Sequence, residues 1–217
     1  MLAGTAGQGK WWGRMKTYLI VGQTNVGKTA FALTFAETLG LDKVEVTFAY
    51  PDGFSTKQSY SLAQARQELI GPAPHKTRCL QSMSLQIPQG KGRRVIKLVD
   101  STGLMEGIHR EAEIRRSLVQ TLQEMQKTDY LLHVIDAAAI GKAPDDRAVF
   151  TELERQIAAF SQNRGTYLLI ANKMDAESAR AGLLRIKLHL PNHKVLPVSA
   201  QSKAGFREVR NVIARLP

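Results

Sequence analysis

TYLIVGQTNVGKTAFALTFAETL, residues 17–39, is the stretch on which the fold turns. Thr17–Val21 is a short, nearly continuous apolar run, the pattern of a strand covered on both faces. From Lys28 a helical pattern runs on to about Leu39. Between them, Gly22-Gln23-Thr24-Asn25-Val26-Gly27-Lys28-Thr29 fits G-x-x-x-x-G-K-[ST]. The glycines let the backbone turn tightly so that several N–H groups point inward, and the helix N-terminus adds partial positive charge. Such a cradle takes phosphate: Lys28 can reach the β and γ phosphates, and the Thr29 hydroxyl can hold Mg²⁺. The strand before it and the helix after it set the loop apart from a glycine-rich turn that binds nothing.

Outward from this stretch, Val95–Val99, Tyr130–Ile135, Thr166–Ala171 and Val195–Val198 read as further strands. Helical segments fall at about His109–Gln126, Asp145–Ser161, Ala176–His189 and Ala204–Leu216. The alternation predicts a parallel α/β sheet. Two pieces break it. Cys79–Ile87 and Val95–Val99, joined through Gln89-Gly90-Lys91-Gly92, read as a hairpin. Residues 43–76 read as an insertion, with a strand at Val44–Phe48, a turn at Tyr50-Pro51-Asp52-Gly53 and a helix from about Ser61 to Ile70. Ser61 and Gln64 are placed there as a capping box.

The composition suits one globular domain. With 217 residues, 43% hydrophobic and 23% charged, disorder, collagen and coiled coil are excluded. The single cysteine, Cys79, excludes an intramolecular disulfide framework and fits a reducing cytosol. The longest apolar stretch, 130–141, contains His133 and Asp136 and is too short to cross a bilayer. The N-terminal residues have no apolar core of signal-peptide length, so a cytoplasmic location is expected. Residues 1–15 read as a flexible basic tail and 16–217 as a single domain; either Met1 or Met15 is the natural start. The five histidines show no metal-ligand spacing.

Three further motifs sit at strand ends. Asn172-Lys173-Met174-Asp175 follows the fourth parallel strand. A carboxylate there can accept two N–H bonds from guanine, at N1 and the 2-amino group, a pair that adenine lacks; the alternative is that Asp175 caps the next helix. Asp100-Ser101-Thr102-Gly103 follows Val95–Val99, where a carboxylate can serve Mg²⁺ and a glycine N–H the γ phosphate. Ser199-Ala200-Gln201 follows Val195–Val198 and offers a backbone N–H to the guanine oxygen.

The order of these four motifs resembles the translation-factor-type P-loop GTPases over about residues 16–217, and the wording GQTNVGKT, VDSTGL, NKMD and VSAQSKAG is similar to the Era-like bacterial group. The resemblance implies a Ras-like G domain: a three-layer P-loop NTPase fold with a mostly parallel six-stranded sheet, one antiparallel hairpin edge and helices on both faces. It implies GTP or GDP as ligand, with the phosphates held by Gly22, Thr24, Asn25, Val26, Gly27, Lys28, Thr29 and Ala30. Mg²⁺ falls to Thr29, Asp100 and a switch threonine, and Gly103 serves the γ phosphate. The guanine falls to Asn172, Lys173 and Asp175, with Ser199, Ala200 and Gln201 around its oxygen. Thr77 stands where an Era-like switch threonine would sit, with Thr56 as the alternative.

Two residues shape the chemistry that the resemblance implies. Leu104 occupies the position of the water-orienting glutamine of Ras-type proteins and cannot hydrogen-bond a water. Asn25 occupies the position that, in potassium-dependent relatives, helps hold K⁺ near the phosphates; the alternative is that it bonds only its own loop. Slow intrinsic hydrolysis, sped by K⁺ or a partner, is therefore expected, with Lys28, Thr77, Gly103 and Asn25 as the catalytic set.

The process served has two readings. One is a ribosome-assembly or RNA-linked GTPase, although the chain ends at Pro217 with no appended RNA-binding domain of the Era type expected. The other is a stand-alone regulatory GTPase whose protein or membrane-surface effector reads residues 43–76 as a lid. An ATPase or kinase is disfavoured by Asn172 and Asp175. The net charge of +11 is local. Residues 180–217 hold eight basic side chains against one acid, and Lys91 to Lys97 adds four more. The two regions are expected to merge into one anion-facing patch for RNA or an anionic membrane surface.

Overall fold

The computed structural model describes residues 14–71, 77–105, 110–145, 149–162 and 166–217. Most of the basic tail, residues 72–76 of the insertion and the expected helix start at His109 lie outside the described residues.

In chain order the strands are β1 (Lys16–Val21), β2 (Lys43–Ala49), β3 (Ser55–Ser61), β4 (Leu80–Gln89), β5 (Gly92–Asp100), β6 (Tyr130–Asp136), β7 (Tyr167–Asn172) and β8 (Val195–Pro197). The helices are α1 (Lys28–Thr38), α2 (Leu62–Leu69), α3 (Ala112–Lys127), α4 (Ala137–Gly141), α5 (Glu152–Gln162), α6 (Ala179–His189) and α7 (Phe206–Arg215). The strands form one sheet in the order β3-β2-β4-β5-β1-β6-β7-β8. From β5 to β8 the pairings are parallel, as the alternation predicts, and β3-β2-β4-β5 is antiparallel.

The sheet therefore has eight strands rather than six. The two additional strands are the insertion. β2 shows strand alternation, with Val44 and Val46 buried. β3, STKQSYS, shows none: Tyr60 is its one buried residue, and it is a strand because the Tyr50–Phe54 turn returns it antiparallel to β2. Its polar face and Lys57 suit a free sheet edge. α2 follows with Ser61 and Gln64 bonded as a capping box. Residues 43–69 are thus sheet and core, which corrects the expectation of a lid for that part of the insertion; among its described residues, Leu69 to Gly71 reach the cleft described below.

α1 is buried from Phe31 through Ala36 because it lies between the sheet and α2 and α7. Leu19, Val21, Val99 and Leu131 form the core of the other face with Met125 of α3 and Ile157 of α5. Arg94 closes the end of α7, donating to the carbonyls of Ile213 and Leu216 and to the Tyr18 hydroxyl. Among the described residues no helix is long and apolar enough to cross a membrane.

Candidate functional site

The carboxyl ends of β1, β5, β7 and β8 converge, and the four motifs follow them. The loop after β1 is set by backbone sterics. Gly27 has φ +92° and passes so close to Asn172 that a Cβ would lie 2.5 Å from Nδ2. Gly103 lies against Thr24, where a Cβ would come within 2.6 Å of the side chain. The two loops are also stitched by the Leu104 N–H donating to the Gly22 carbonyl at 3.0 Å.

Lys28 is 7% exposed and donates to the carbonyls of Gly22 at 3.1 Å and Gln23 at 2.6 Å. Burial pulls its pKa down to about 8, opposed by the charge of Asp100. Asp100 is 1% exposed; burial pushes its pKa up to about 6, against the pull of Lys28 and of the Thr29 hydrogen bond. The Thr29 hydroxyl donates to Asp100 Oδ2 at 2.5 Å and stands 3.3 Å from the Thr77 hydroxyl. Asp100 Oδ1 is buried with no hydrogen-bond partner among the described residues. The structure thus brings Thr29, Thr77 and Asp100 together, whereas Thr56 lies exposed on β3 opposite Phe48.

At the other end, Asn172 is 2% exposed and ties three loops together. Its Nδ2 donates to the Val26 carbonyl at 2.9 Å, and its Oδ1 accepts from the Ala200 N–H at 3.1 Å. Thr34 of α1 donates to the Ala200 carbonyl at 2.8 Å. The Ala200 amide, expected at the guanine oxygen, donates to Asn172 in this structure. The next amide along the loop, Gln201, makes no hydrogen bond among the described residues. Asp175 is exposed and accepts from the Ser199 hydroxyl at 2.5 Å. α6 starts at Ala179 with Ser178 at its N-cap, so Asp175 does not cap that helix. Lys173, at φ 65°, bonds Asp136 Oδ2 at 2.6 Å.

A cleft of about 430 Å³ lies between these loops, bounded by Thr24, Asn25, Lys28, Thr77, Gly103 and Lys173 among others. Leu104 is not in it: it is 3% exposed in the core with Val99 and Met125. Asp136, Thr34 and Gln23, which bonds Thr151 at 2.7 Å, were not legible as site residues. Only Asp136, directly after an apolar strand, carries a local signal.

A glycine-rich loop between a parallel strand and a buried helix, with its lysine and threonine at a shared cleft, defines a P-loop α/β domain. The chain belongs to the 50S ribosome-binding GTPase family, whose model matches residues 59–173, just over half of it. That stretch contains Thr77, Asp100, Gly103, Asn172 and Lys173; the phosphate loop precedes it. GTPase Obg of Anoxybacillus flavithermus is 32% identical over 136 residues, 61% of this chain and 31% of that protein. GTPase Obg of Akkermansia muciniphila is 22% identical over 215 residues, 98% of this chain and 59% of that protein. The chain thus spans about a third of the length of the first of these relatives. In fold it is similar to Aquifex aeolicus Era bound to GDP and AlF4⁻, with TM-score 0.62 and 20% identity over 94% of this chain and 57% of that one. It is similar also to Era in complex with MgGDPNP and nucleotides 1506–1542 of 16S ribosomal RNA, with TM-score 0.60 and 20% identity over 93% and 57%.

Proposed function

We propose that this domain binds GTP with Mg²⁺, hydrolyses it to GDP and phosphate, and acts as a nucleotide-dependent switch in ribosome assembly or another RNA-linked process of the cytoplasm. The observation that carries this reading is the cleft lined by Lys28, Thr29, Thr77 and Lys173, with Asp100 bonded to Thr29 and Asn172 bonded to the Val26 carbonyl of the phosphate loop beside it. Two hydroxyls beside a buried carboxylate with one unpartnered oxygen form a hard-oxygen donor set. That set suits Mg²⁺, which keeps waters and substrate phosphates as its other ligands. Bound there, Mg²⁺ neutralises charge on the phosphate oxygens.

The chain's own residues do the rest. Lys28 exchanges its two carbonyl partners for phosphate oxygens. Asp175 accepts from the guanine N1 and 2-amino groups, and the Gln201 amide faces the guanine oxygen. With Leu104 in the core, no side chain from that position orients the attacking water. Asn25, exposed at the cleft with φ 61°, supports a K⁺ held near the phosphates as a substitute for part of that work.

The RNA-linked reading is supported by the family's ribosome-binding description and by the basic surface. The hairpin's share of that surface is split between two faces. Arg94 is folded against α7, whereas Lys97, an odd number of residues away on β5, faces α3. A protein partner reading residues 43–69 would meet a fixed sheet edge.

Phosphate release by the purified protein tests the reading. The expected result is Mg²⁺-dependent GTP turnover, faster in K⁺ than in Na⁺ and lowered by roughly a hundredfold or more in Asp100→Asn. Absence of GTP turnover with Mg²⁺, K⁺ and RNA present overturns it; equal rates in K⁺ and Na⁺ remove only the cation's part.

A further inference from the structure

A second cavity, of about 670 Å³, shares no lining residue with the nucleotide cleft. It lies between α3, the Tyr50–Gly53 turn and the sheet face bearing Ser82 and Lys97. Lys97, Arg116 and Lys127 line it and make no ion pair among the described residues. Arg115 adds a fourth cation, against one acid, Glu124.

Two observations go beyond charge. Tyr50, on the wall of the groove, is tilted against Phe54 with ring centroids 5.9 Å apart, and Phe54 is 61% exposed at the mouth of the turn. Gln120, on the α3 wall, donates from Nε2 to the Ala49 carbonyl at 2.9 Å, while its Oε1 is buried with no partner. The groove therefore offers several cations and an aromatic surface at the Tyr50 turn, with Gln120 holding the α3 wall to the strand that precedes that turn.

We infer that this groove binds a short stretch of single-stranded RNA. The inference rests on the RNA-linked reading above and gives it a surface. Phosphates take the place of counter-ions at Lys97, Arg116 and Lys127, and a base stacks on Tyr50. A recess between a helix and a sheet admits splayed bases more readily than a duplex. An acidic peptide would use the cations but has no need of the Tyr50–Phe54 platform. The region around α6 and α7 is the weaker candidate. Its Arg185 donates to the carbonyls of Ile140 and Ala143, its Lys203 pairs with Glu37, and its exposed large apolar residues are Leu184 and Leu188, which cannot stack on a base as a ring does.

The placement also links RNA to nucleotide state. α3 begins at Ala112, nine positions after Gly103, and Arg78, next to Thr77, pairs with Glu111 and Glu113 at its N-terminal end. RNA bridging α3 to the Tyr50 turn thus loads the helix that follows the γ-phosphate-facing loop.

The test is fluorescence anisotropy with a labelled single-stranded RNA of about ten nucleotides, a length suited to one such surface. It uses the full chain loaded with a GTP analogue, across a salt series. The combined variant Lys97→Glu, Arg116→Glu and Lys127→Glu is expected to bind roughly tenfold or more weakly, with the salt slope reduced by ~2 for three lost phosphate contacts. Tyr50→Ala is expected to weaken binding roughly fivefold or more through lost stacking. Arg180→Glu with Lys187→Glu on α6 is expected to stay within about twofold, as surface charges outside the contact should. All variants should keep their GTP-analogue affinity, which reports that they are folded. If the α6 variant loses RNA and the groove variants do not, the groove proposal fails while the RNA-linked reading stands. If a poly-glutamate peptide displaces the RNA as well as unlabelled RNA does, the groove is a site for acidic peptide and the proposal fails. No RNA binding by the unaltered protein at low salt overturns both.

Discussion

His133 sits fully buried on β6 with its Nδ1 2.7 Å from the Tyr167 hydroxyl and its Nε2 without a partner among the described residues. Burial pulls its pKa down from 6.5 to about 3, and the charges of Lys28 and His193 act in the same direction. A folded value below the unfolded one means that the unfolded chain binds the proton first. The stability is therefore present above about pH 6.5 and is lost as the pH falls towards 3. Chemical unfolding at pH 7 and 5 should show wild type losing up to about 1.4 kcal/mol per pH unit more than His133→Gln. Equal slopes would remove this role.

Residues such as His133 mark the limit of the sequence at this scale. Lys28, Thr29 and Asp175 are legible because the chemistry fixes residue type and spacing within a few positions. Asn172 was legible as a motif member, but its bonds to Val26 and Ala200 cross 146 and 28 positions and have no local signature. The same distance hid the donation of the Ala200 amide to Asn172.

At the scale of elements, helices and central strands were readable where an apolar period had to match a buried face. β3 was not, because only Tyr60 of its seven residues is buried and its pairing is imposed by β2. α4 was not, because AAAIG is one short turn begun by Asp136, whose carboxylate accepts the Ala139 N–H. The junction of the Thr77–Arg78 segment with α3 is likewise a tertiary property. Arg78 pairs with Glu111 at 3.6 Å and Glu113 at 3.0 Å, and Ser117 donates to the Arg78 carbonyl. The ion-paired side chains are about half exposed, so Arg78→Ala should change stability by less than about 1 kcal/mol. Its effect should fall on coupling. Hydrogen exchange across α3 is expected to differ between GTP-analogue and GDP states in wild type, with that difference reduced by roughly half or more in Arg78→Ala. An unchanged difference would show that α3 senses nucleotide only through the Gly103 loop.

At the scale of the whole molecule, one sheet carries both the site and its surroundings. The parallel half places four motifs at the ends of neighbouring strands, and the antiparallel half extends the sheet beyond β4 and forms one wall of the basic groove. Two of the hairpin's cations are divided by the pleat: Arg94 closes α7 on one face, while Lys97 lines the groove on the other. All of this has meaning only if the cleft selects guanine. The most direct measurement is titration calorimetry of GTP and ATP into one Mg²⁺-containing preparation, repeated with Asp175→Ala. The expected result is GTP bound at least about a hundredfold more tightly than ATP, with that preference abolished in the variant. ATP bound within about threefold of GTP by the unaltered protein would contradict the account.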